Sequence, residues 1–191
     1  FAIWDAAREE LFLARDPYGI KPLYYADGQG QFRFASQVKA LLAGGRIASD
    51  LDPGGVVGFF LWGSVPEPLT LYRDIRMLPA GSSVRIDARG MGKIESYWTI
   101  GAAIVGAMKT AADIPKGEER AWFKAALRES VRRHLVADVP VGAFLSAGLD
   151  SSTLLGLATE ISGRPVESIT FSCEEFKDTH LDELPLAKLV A

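Results

Sequence analysis

Between residues 139 and 171 the chain passes from an apolar strand pattern, Val139–Leu145, through a turn of small and hydroxylated residues into a helical pattern, Ser152–Ile161. It stops near Gly163 and returns to a second apolar run, Val166–Phe171. Strand, loop, helix and strand in that order form a βαβ unit, which commits this part of the chain to a parallel sheet. Glu118–Leu135 leads into it with Trp122, Phe123, Ala126, Leu127, Val131 and Leu135 at helical spacing and Arg128, Glu129, Arg132 and Arg133 on the other side. No internal repeat is visible.

The N-terminal half has another texture. Phe1–Trp4 and Leu11–Ala14 flank the charged turn Asp5–Glu10, and Leu23–Tyr25 and Phe32–Phe34 enclose Asp27-Gly28-Gln29-Gly30. Ser83–Asp87 faces Ile94–Trp98 across Arg89-Gly90-Met91-Gly92. Each is a hairpin pattern, with glycines able to take the positive φ of a tight turn. Two short helices are expected between them. Ser36 caps one that buries Val38, Leu41 and Leu42 and ends at Gly44-Gly45; Asp52-Pro53 opens the other toward Trp62, the proline sitting where no N–H is needed.

Gly101–Gly117 is poor in large side chains and reads as a linker or a mobile loop. With 191 residues to divide, the expected boundaries are 1–98, 99–117 and 118–191, two incomplete domains of different habit around a joining segment. Phe1–Trp4 begins inside a strand pattern and Leu186–Ala191 stops inside a helical one, so both ends are expected to cut through folded elements.

Charge and cysteine usage narrow the chemistry. Lys+Arg 21 against Asp+Glu 24 gives a net charge of −3 and no basis for a nucleic-acid partner. Cys173 is the single cysteine, and His134 and His180 lie far apart, so neither a disulfide framework nor a zinc site is expected and a reducing, cytoplasmic setting is the default. The longest apolar stretch, Val56–Trp62, is far too short for a membrane span, and no basic lead-in precedes an apolar N-terminal run.

The sharpest local signal is Val141-Gly142-Ala143-Phe144-Leu145-Ser146-Ala147-Gly148-Leu149-Asp150-Ser151-Ser152. A strand ends, small residues let the backbone curl, and a helix begins within Asp150–Ser152, so N–H groups, hydroxyls and a helix N-terminus converge, a suitable cradle for phosphate oxygens. Asp150 would repel a bare phosphate, so its place there calls for Mg2+ between them. No Gly-Lys-Ser/Thr follows, which excludes a Walker A loop, and one loop glycine does not make a dinucleotide fingerprint. The alternative is a serine-capped α/β loop in which Asp150 only caps the helix.

Ser146-Ala147-Gly148-Leu149-Asp150-Ser151 resembles the pyrophosphate loop Ser-Gly-Gly-x-Asp-Ser of the ATP-pyrophosphatase superfamily. The lead-in Asp138–Leu145, together with Arg15-Asp16-Pro17-Tyr18-Gly19-Ile20-Lys21-Pro22-Leu23-Tyr24-Tyr25 and Phe34–Leu41, is similar to the glutamine-hydrolysing asparagine synthetases. Further matches are Pro66–Thr70, Ile75–Gly81, Tyr97-Trp98 and the stretch from Asp182-Glu183 to Ala191. The resemblance implies an α/β and α+β chain: the C-terminal half of an αββα glutaminase domain, then the start of an adenine-nucleotide α-hydrolase-like parallel α/β domain. It implies that Ser146, Gly148, Asp150, Ser151 and Ser152 bind pyrophosphate, that Asp150 holds Mg2+, and that Leu145, Phe171 and Ser172 lie beside adenine and ribose. Arg15, Asp16, Gly19 and Lys21 would shape the glutaminase core, for which a structural turn with an internal ion pair is the favoured reading.

Three departures matter. Ala147 stands where the family has the first loop glycine; Gly148 is expected to supply whatever positive φ the turn demands. Gln37 stands where the family usually has Glu. The family's N-terminal cysteine nucleophile and glutamine-binding residues precede the matched region, and most of the acceptor site, the second Mg2+ aspartate and the adenylation lysine follow it, so no catalytic residue of the glutaminase is expected here. Cys173 is expected to be a small buried thiol, Trp122 and Phe123 core or domain-interface residues, and His134 a surface or capping residue. Asp178, His180, Asp182 and Glu183 read as a solvated helix start, with Asp182 a weak candidate for the nucleotide side. The implied activity is ATP-dependent conversion of aspartate to asparagine with glutamine-derived ammonia, with no membrane or nucleic-acid partner; a homodimer is compatible with it. The alternatives are amide synthesis on another carboxylate, or an inactive relative with a structural or regulatory role.

Overall fold

The computed structural model describes residues 1–110, 114–146 and 148–191, and the chain divides into two compact units, Phe1–Ala111 and Ala112–Ala191. Both contain strands and helices, in agreement with the expected mixture of α and β structure. No helix among the described residues is long and apolar enough to cross a membrane.

In the first unit, β1 (Ala2–Asp5) and β2 (Glu10–Ala14) form the first hairpin, and β6 (Ser82–Asp87) pairs antiparallel with the free edge of β2. β7 (Gly90–Met91) and β8 (Glu95–Ser96) both pair with β6; the registers Ile86↔Met91 and Ser83↔Glu95 are one residue out of step, so the expected third hairpin is interrupted between them. β3 (Tyr24–Gly28) pairs with β4 (Gln31–Ala35) and with β5 (Arg76–Met77) in a second sheet. The β3–β4 turn places Gln29 (φ 54°) and Gly30 (φ 72°) at its two left-handed positions, so a glutamine takes one of the roles expected of glycine while Gly28 stays in the strand. Alternation along β6 buries Ser82, Val84 and Ile86, and the two apolar side chains join Leu13, Leu23 and Leu78 in one core; Ala26, Leu41 and Ile75 form another.

The helices follow the sequence signals unevenly. α1 (Val38–Ala43) has Gln37, not Ser36, at its N-cap and no side-chain cap; tertiary packing of Leu41 holds this short helix, not a cap. α2 (Pro53–Trp62) starts as expected: Asp52 accepts from the N–H groups of Gly54 and Gly55, and Pro53 fills the first turn. Within 99–117, expected to be a linker or mobile loop, α3 spans Ile100–Thr110; its alanines, read there as loop residues, are the best helix formers. Residues 111–113 of that segment lie outside the described residues.

Arg15, 5% exposed, ties the first unit together. Its guanidinium donates to Glu67 Oε1 (2.7 Å) and to the carbonyls of Leu78 (2.8 Å), Gly19 (2.8 Å) and Lys21 (3.0 Å). The ion pair expected for this turn is therefore Arg15–Glu67, and Asp16 instead accepts the N–H groups of Ile20 and Lys21. Partial burial of Asp16 works against ionisation, but N–H donors from Lys21, Ile20 and Tyr18 prevail and hold its carboxyl below the usual range.

In the second unit, α4 (Glu119–His134) precedes β9 (Gly142–Phe144), α5 (Leu149–Ser162) and β10 (Glu167–Ile169). β9 and β10 are parallel, with Ala143 opposite Ser168, so the expected βαβ unit is present. A 3-10 turn (Glu174–Phe176) and α6 (Leu184–Val190) follow, and Leu145, Leu155 and Ala187 form the core with Ala143 and Val166 against it. Arg128 pairs with Glu160 from α4 to α5. Hydrogen bonds from Arg132 and Arg133 hold Glu129 down to about 2.

One expectation fails here. Cys173 is exposed, because β10 ends at Ile169 and the thiol sits past the strand on the turn leading into the 3-10 helix. Trp122 (58%) and Phe123 (63%) are exposed within this unit, so of the two places expected for them its core is not the one they take; Val131 is the buried residue of α4. His134 is exposed, with Nδ1 2.8 Å from the Ser130 carbonyl oxygen.

Replacing Arg15 by Met should strand three main-chain carbonyls and the Glu67 carboxylate, costing about 3–5 kcal/mol in urea unfolding of the first unit. Asp52 gives a pH test. The hydrogen bond from Arg76 chiefly, then the N–H groups of Gly55 and Gly54, hold its carboxyl below the usual range against partial desolvation. A carboxyl lowered on folding adds stability that is full above about pH 4 and is lost as pH falls through the folded value. Asp52→Asn should therefore flatten the acid limb of the stability–pH curve below about pH 4 and leave its shape near neutrality unchanged.

Candidate functional site

Parallel strands end on the same edge of a sheet, and here two side-by-side bonds fix that edge. The Leu145 N–H donates to the Ile169 carbonyl (2.9 Å), and Thr170 Oγ1 donates to the Leu145 carbonyl (2.8 Å). Leu145 is 2% exposed, so the point where the chain turns away is anchored in the core. Thr170 was missed in the sequence, because it fell inside the expected strand Val166–Phe171; a hydroxyl near the end of that run was its only signal.

The chain then turns through Ser146 and Gly148 into α5, which begins at Leu149, three residues before the expected Ser152. Asp150, Ser151 and Ser152 thus lie in its first turn. Gly148 is the N-cap, no side chain caps the helix, and the first helical bond runs from the Ser152 N–H to the Gly148 carbonyl. The N–H groups of Leu149, Asp150 and Ser151 accordingly have no helical acceptor, and the positive end of the helix dipole lies there.

Gly148 corrects an expectation. Its φ of −69° with ψ 160° is ordinary extended backbone, so the left-handed conformation is not used. A Cβ there would lie 3.4 Å from Ser146 Oγ, an ordinary contact. Ala147, the departure singled out in the sequence, lies outside the described residues.

The serines form a compact cluster. The Ser146 N–H donates to Ser151 Oγ (3.2 Å), the two hydroxyl oxygens are 3.1 Å apart, and Ser151 Oγ donates to the Gly148 carbonyl (3.3 Å). Asp150 is exposed and makes no ion pair among the described residues. No group of three or more His, Cys, Asp or Glu side chains among them could hold a metal. One carboxylate beside hydroxyls suits a Mg2+ that draws its remaining oxygens from phosphate and water, and does not suit a resident ion.

Phe171 reaches the same edge through Phe144, the ring centroids 5.4 Å apart, and remains 76% exposed. Ser172 follows it in the chain and makes no hydrogen bond to the loop among the described residues. The structure thus gathers Leu145, Ser146, Gly148, Asp150, Ser151 and Ser152 at one strand end, with Phe171 alongside. Asp182 instead accepts from the Leu184 and Asp178 N–H groups at the start of α6.

In the first unit a cavity of about 590 Å³ is lined by Asp16, Lys21, Leu23, Phe34, Ser36 and Tyr97, among others. The Tyr97 hydroxyl donates to the Arg15 carbonyl at 2.5 Å, so the wall of this cavity and the Arg15 turn share one hydrogen-bond network.

Because Gly148 is neither left-handed nor crowded, Gly148→Ala should change the unfolding free energy by less than about 1 kcal/mol in urea titration. A larger loss would mean that the glycine serves the fold rather than a ligand.

Residues 1–98 match the family model described as "Glutamine amidotransferase domain", and residues 123–191 match the one described as "Asparagine synthase". A putative glutamine-hydrolyzing asparagine synthetase of Mycobacterium tuberculosis is 35% identical over 182 residues, covering 93% of this chain and 28% of that protein. Glutamine-hydrolyzing asparagine synthetase 1 of Bacillus subtilis is 35% identical over 160 residues, covering 84% of this chain and 24% of its own. The amidase chyE of Penicillium rubens is 30% identical over 204 residues, covering 100% of this chain and 29% of its own. The chain therefore spans between about a quarter and a third of these relatives. With an antiparallel unit that matches the first model and a βαβ unit that matches the second, in that order, the chain belongs to the family of glutamine-hydrolysing asparagine synthetases.

Proposed function

We propose that the intact protein containing this chain converts aspartate to asparagine, using ATP and glutamine-derived ammonia and releasing AMP and pyrophosphate through β-aspartyl-AMP. The observation that carries this reading is the uncapped start of α5, preceded by Ser146-Ala147-Gly148 at the anchored end of a parallel strand pair. On this reading 1–98 is the C-terminal half of an αββα glutaminase domain, 99–117 joins the parts, and 118–191 opens an adenine-nucleotide α-hydrolase-like domain. The setting is cytoplasmic.

On this reading the roles are those that the resemblance implies. N–H groups of the first turn of α5 and the serine cluster face pyrophosphate oxygens, with Gly148 leaving the backbone open to close approach. The Asp150 carboxylate would hold Mg2+, which when bound neutralises charge on the phosphates as pyrophosphate departs. Leu145, Phe171 and Ser172 bound the adenine and ribose side. Arg15, Asp16, Gly19 and Lys21 keep the glutaminase turn in shape. Aspartate and glutamine are the small-molecule partners.

A second reading is amide formation on a different carboxylate. The similarity to a protein named amidase, over the whole of this chain, favours keeping it. Assay of the intact protein with ammonia, Mg-ATP and a panel of carboxylates separates the two: AMP release with aspartate supports the first, and release with another acid alone supports the second.

Asp150→Asn in the intact protein should lower amide synthesis by more than tenfold, with glutamine or with ammonia, because metal-assisted charge stabilisation contributes several kcal/mol at such sites. Glutamine hydrolysis belongs to the other unit and should persist. A variant keeping more than about a tenth of wild-type synthesis would remove Asp150 from the metal role.

A further inference from the structure

We infer that the exposed side of α2 is a contact surface between two copies of the intact protein, paired about a twofold axis. The inference goes beyond the reaction proposed above and does not depend on it.

α2, Pro53–Trp62, carries no charged side chain. A helix apolar all round is ordinarily buried. Within the first unit this one has its large side chains outward. Its buried residues are Gly55 and Gly58, three apart on one side; a Cβ on the first would run into the Thr70 carbonyl, and a Cβ on the second into the Pro66 ring. The glycines let the helix lie close against the 66–70 segment, and the bulk faces away. Val57, Phe60 and Leu61, at i, i+3 and i+4, share the outer stripe. Phe60 is 81% exposed, Leu61 70% and Trp62 75%. The rings of Phe59 and Phe60 meet edge to face, with centroids 5.8 Å apart.

This face suits neither a lipid surface nor a charged partner. A helix lying on a membrane presents Lys and Arg along its polar side, whereas the inner side of α2 is glycine packed on protein. A charged partner would find no charge on it to pair with.

Beside the helix, in the same unit, lies an apolar recess of about 410 Å³, lined by Val38, Phe59, Val65, Leu69, Leu71 and Met77, among others. Phe59 belongs to both features. One surface thus carries apolar projections and an apolar recess side by side, which is the self-complementary form an isologous contact needs: each copy's projection enters the other's recess. The area agrees with this. At about 150–250 Å² for each aromatic side chain, the exposed parts of Val57, Phe59, Phe60, Leu61 and Trp62 amount to roughly 600 Å². Monomers rarely expose so large an apolar patch without using it, and with the rim of the recess it approaches the roughly 800 Å² that each partner gives to a standard interface.

The test is light scattering on the intact protein over a concentration series, unsubstituted and as its Phe60→Asp and Leu71→Arg variants, with thermal unfolding midpoints taken on dilute, dissociated protein. The unsubstituted protein is expected to be dimeric at micromolar concentration. Phe60→Asp puts a charge into the desolvated centre of the contact and should weaken dimerisation by about a hundredfold or more, leaving the midpoint unchanged. Leu71→Arg, on the wall of the recess, should do the same. An equimolar mixture of the two variants should recover dimers, because the aspartate of one copy then meets the arginine of the other. If Leu71→Arg lowers the midpoint, Phe60→Asp decides alone. A protein monomeric at every concentration reached would overturn the inference. So would a dimer that Phe60→Asp leaves intact, or a mixture of two folded variants that stays monomeric. A midpoint that falls with Phe60→Asp would also overturn it, by showing that this face is covered by another part of the same protein.

Discussion

The Arg15 guanidinium leaves water and takes in exchange one carboxylate and three main-chain carbonyls, from Gly19, Lys21 and Leu78. These partners come from separate stretches of the first unit, so one side chain sets the turn after β2 against the strand-linking segments near 67 and 78. The surroundings are shaped to it. Gly19 holds φ 64°, and a Cβ there would lie 2.8 Å from Arg15 Nη2. The Gly81 N–H donates to the Asp16 carbonyl, and Tyr97 reaches back to the Arg15 carbonyl. A buried charge of this kind adds little compared with a well-packed apolar group, but removing it strands every partner at once. Its partners tie that turn to residues far away in the sequence.

The second unit solves a different problem. Its sheet has two described strands and its core rests on Leu145, Leu155 and Ala187. Pairing of Leu145 with Ile169 and Thr170 is what gives the loop a fixed root. The serine cluster and the start of α5 follow directly from that root. The carboxyl ends of parallel strands are where ligands bind in open α/β sheets.

Much of this was legible because it rests on periodicity and local chemistry. Short extended runs around charged or glycine-containing turns marked the strands of the hairpins, Asp52-Pro53 marked the start of α2, and the order of patterns from Val139 to Phe171 marked the βαβ unit. What escaped depended on tertiary context. Gln29 takes a left-handed turn position because the strand register puts it there, and α1 forms without a side-chain cap because Leu41 is buried. α3 was hidden by residues that serve loops and helices alike. Cys173 was placed inside by extending β10 past its end, and Gly148 was credited with a conformation it does not use. Of the site, the residues of the loop could be named from sequence, but not that Ser146 and Ser151 hydrogen-bond to each other, nor that Thr170 anchors its root.

The central claim is that this loop serves cleavage of ATP between its α and β phosphates in an amide-forming reaction. The most direct measurement is the product balance of the intact protein supplied with aspartate, ammonia and Mg-ATP. The account predicts AMP, pyrophosphate and asparagine in equal amounts, each dependent on aspartate. Release of ADP and phosphate instead, or asparagine formed without AMP, would contradict it.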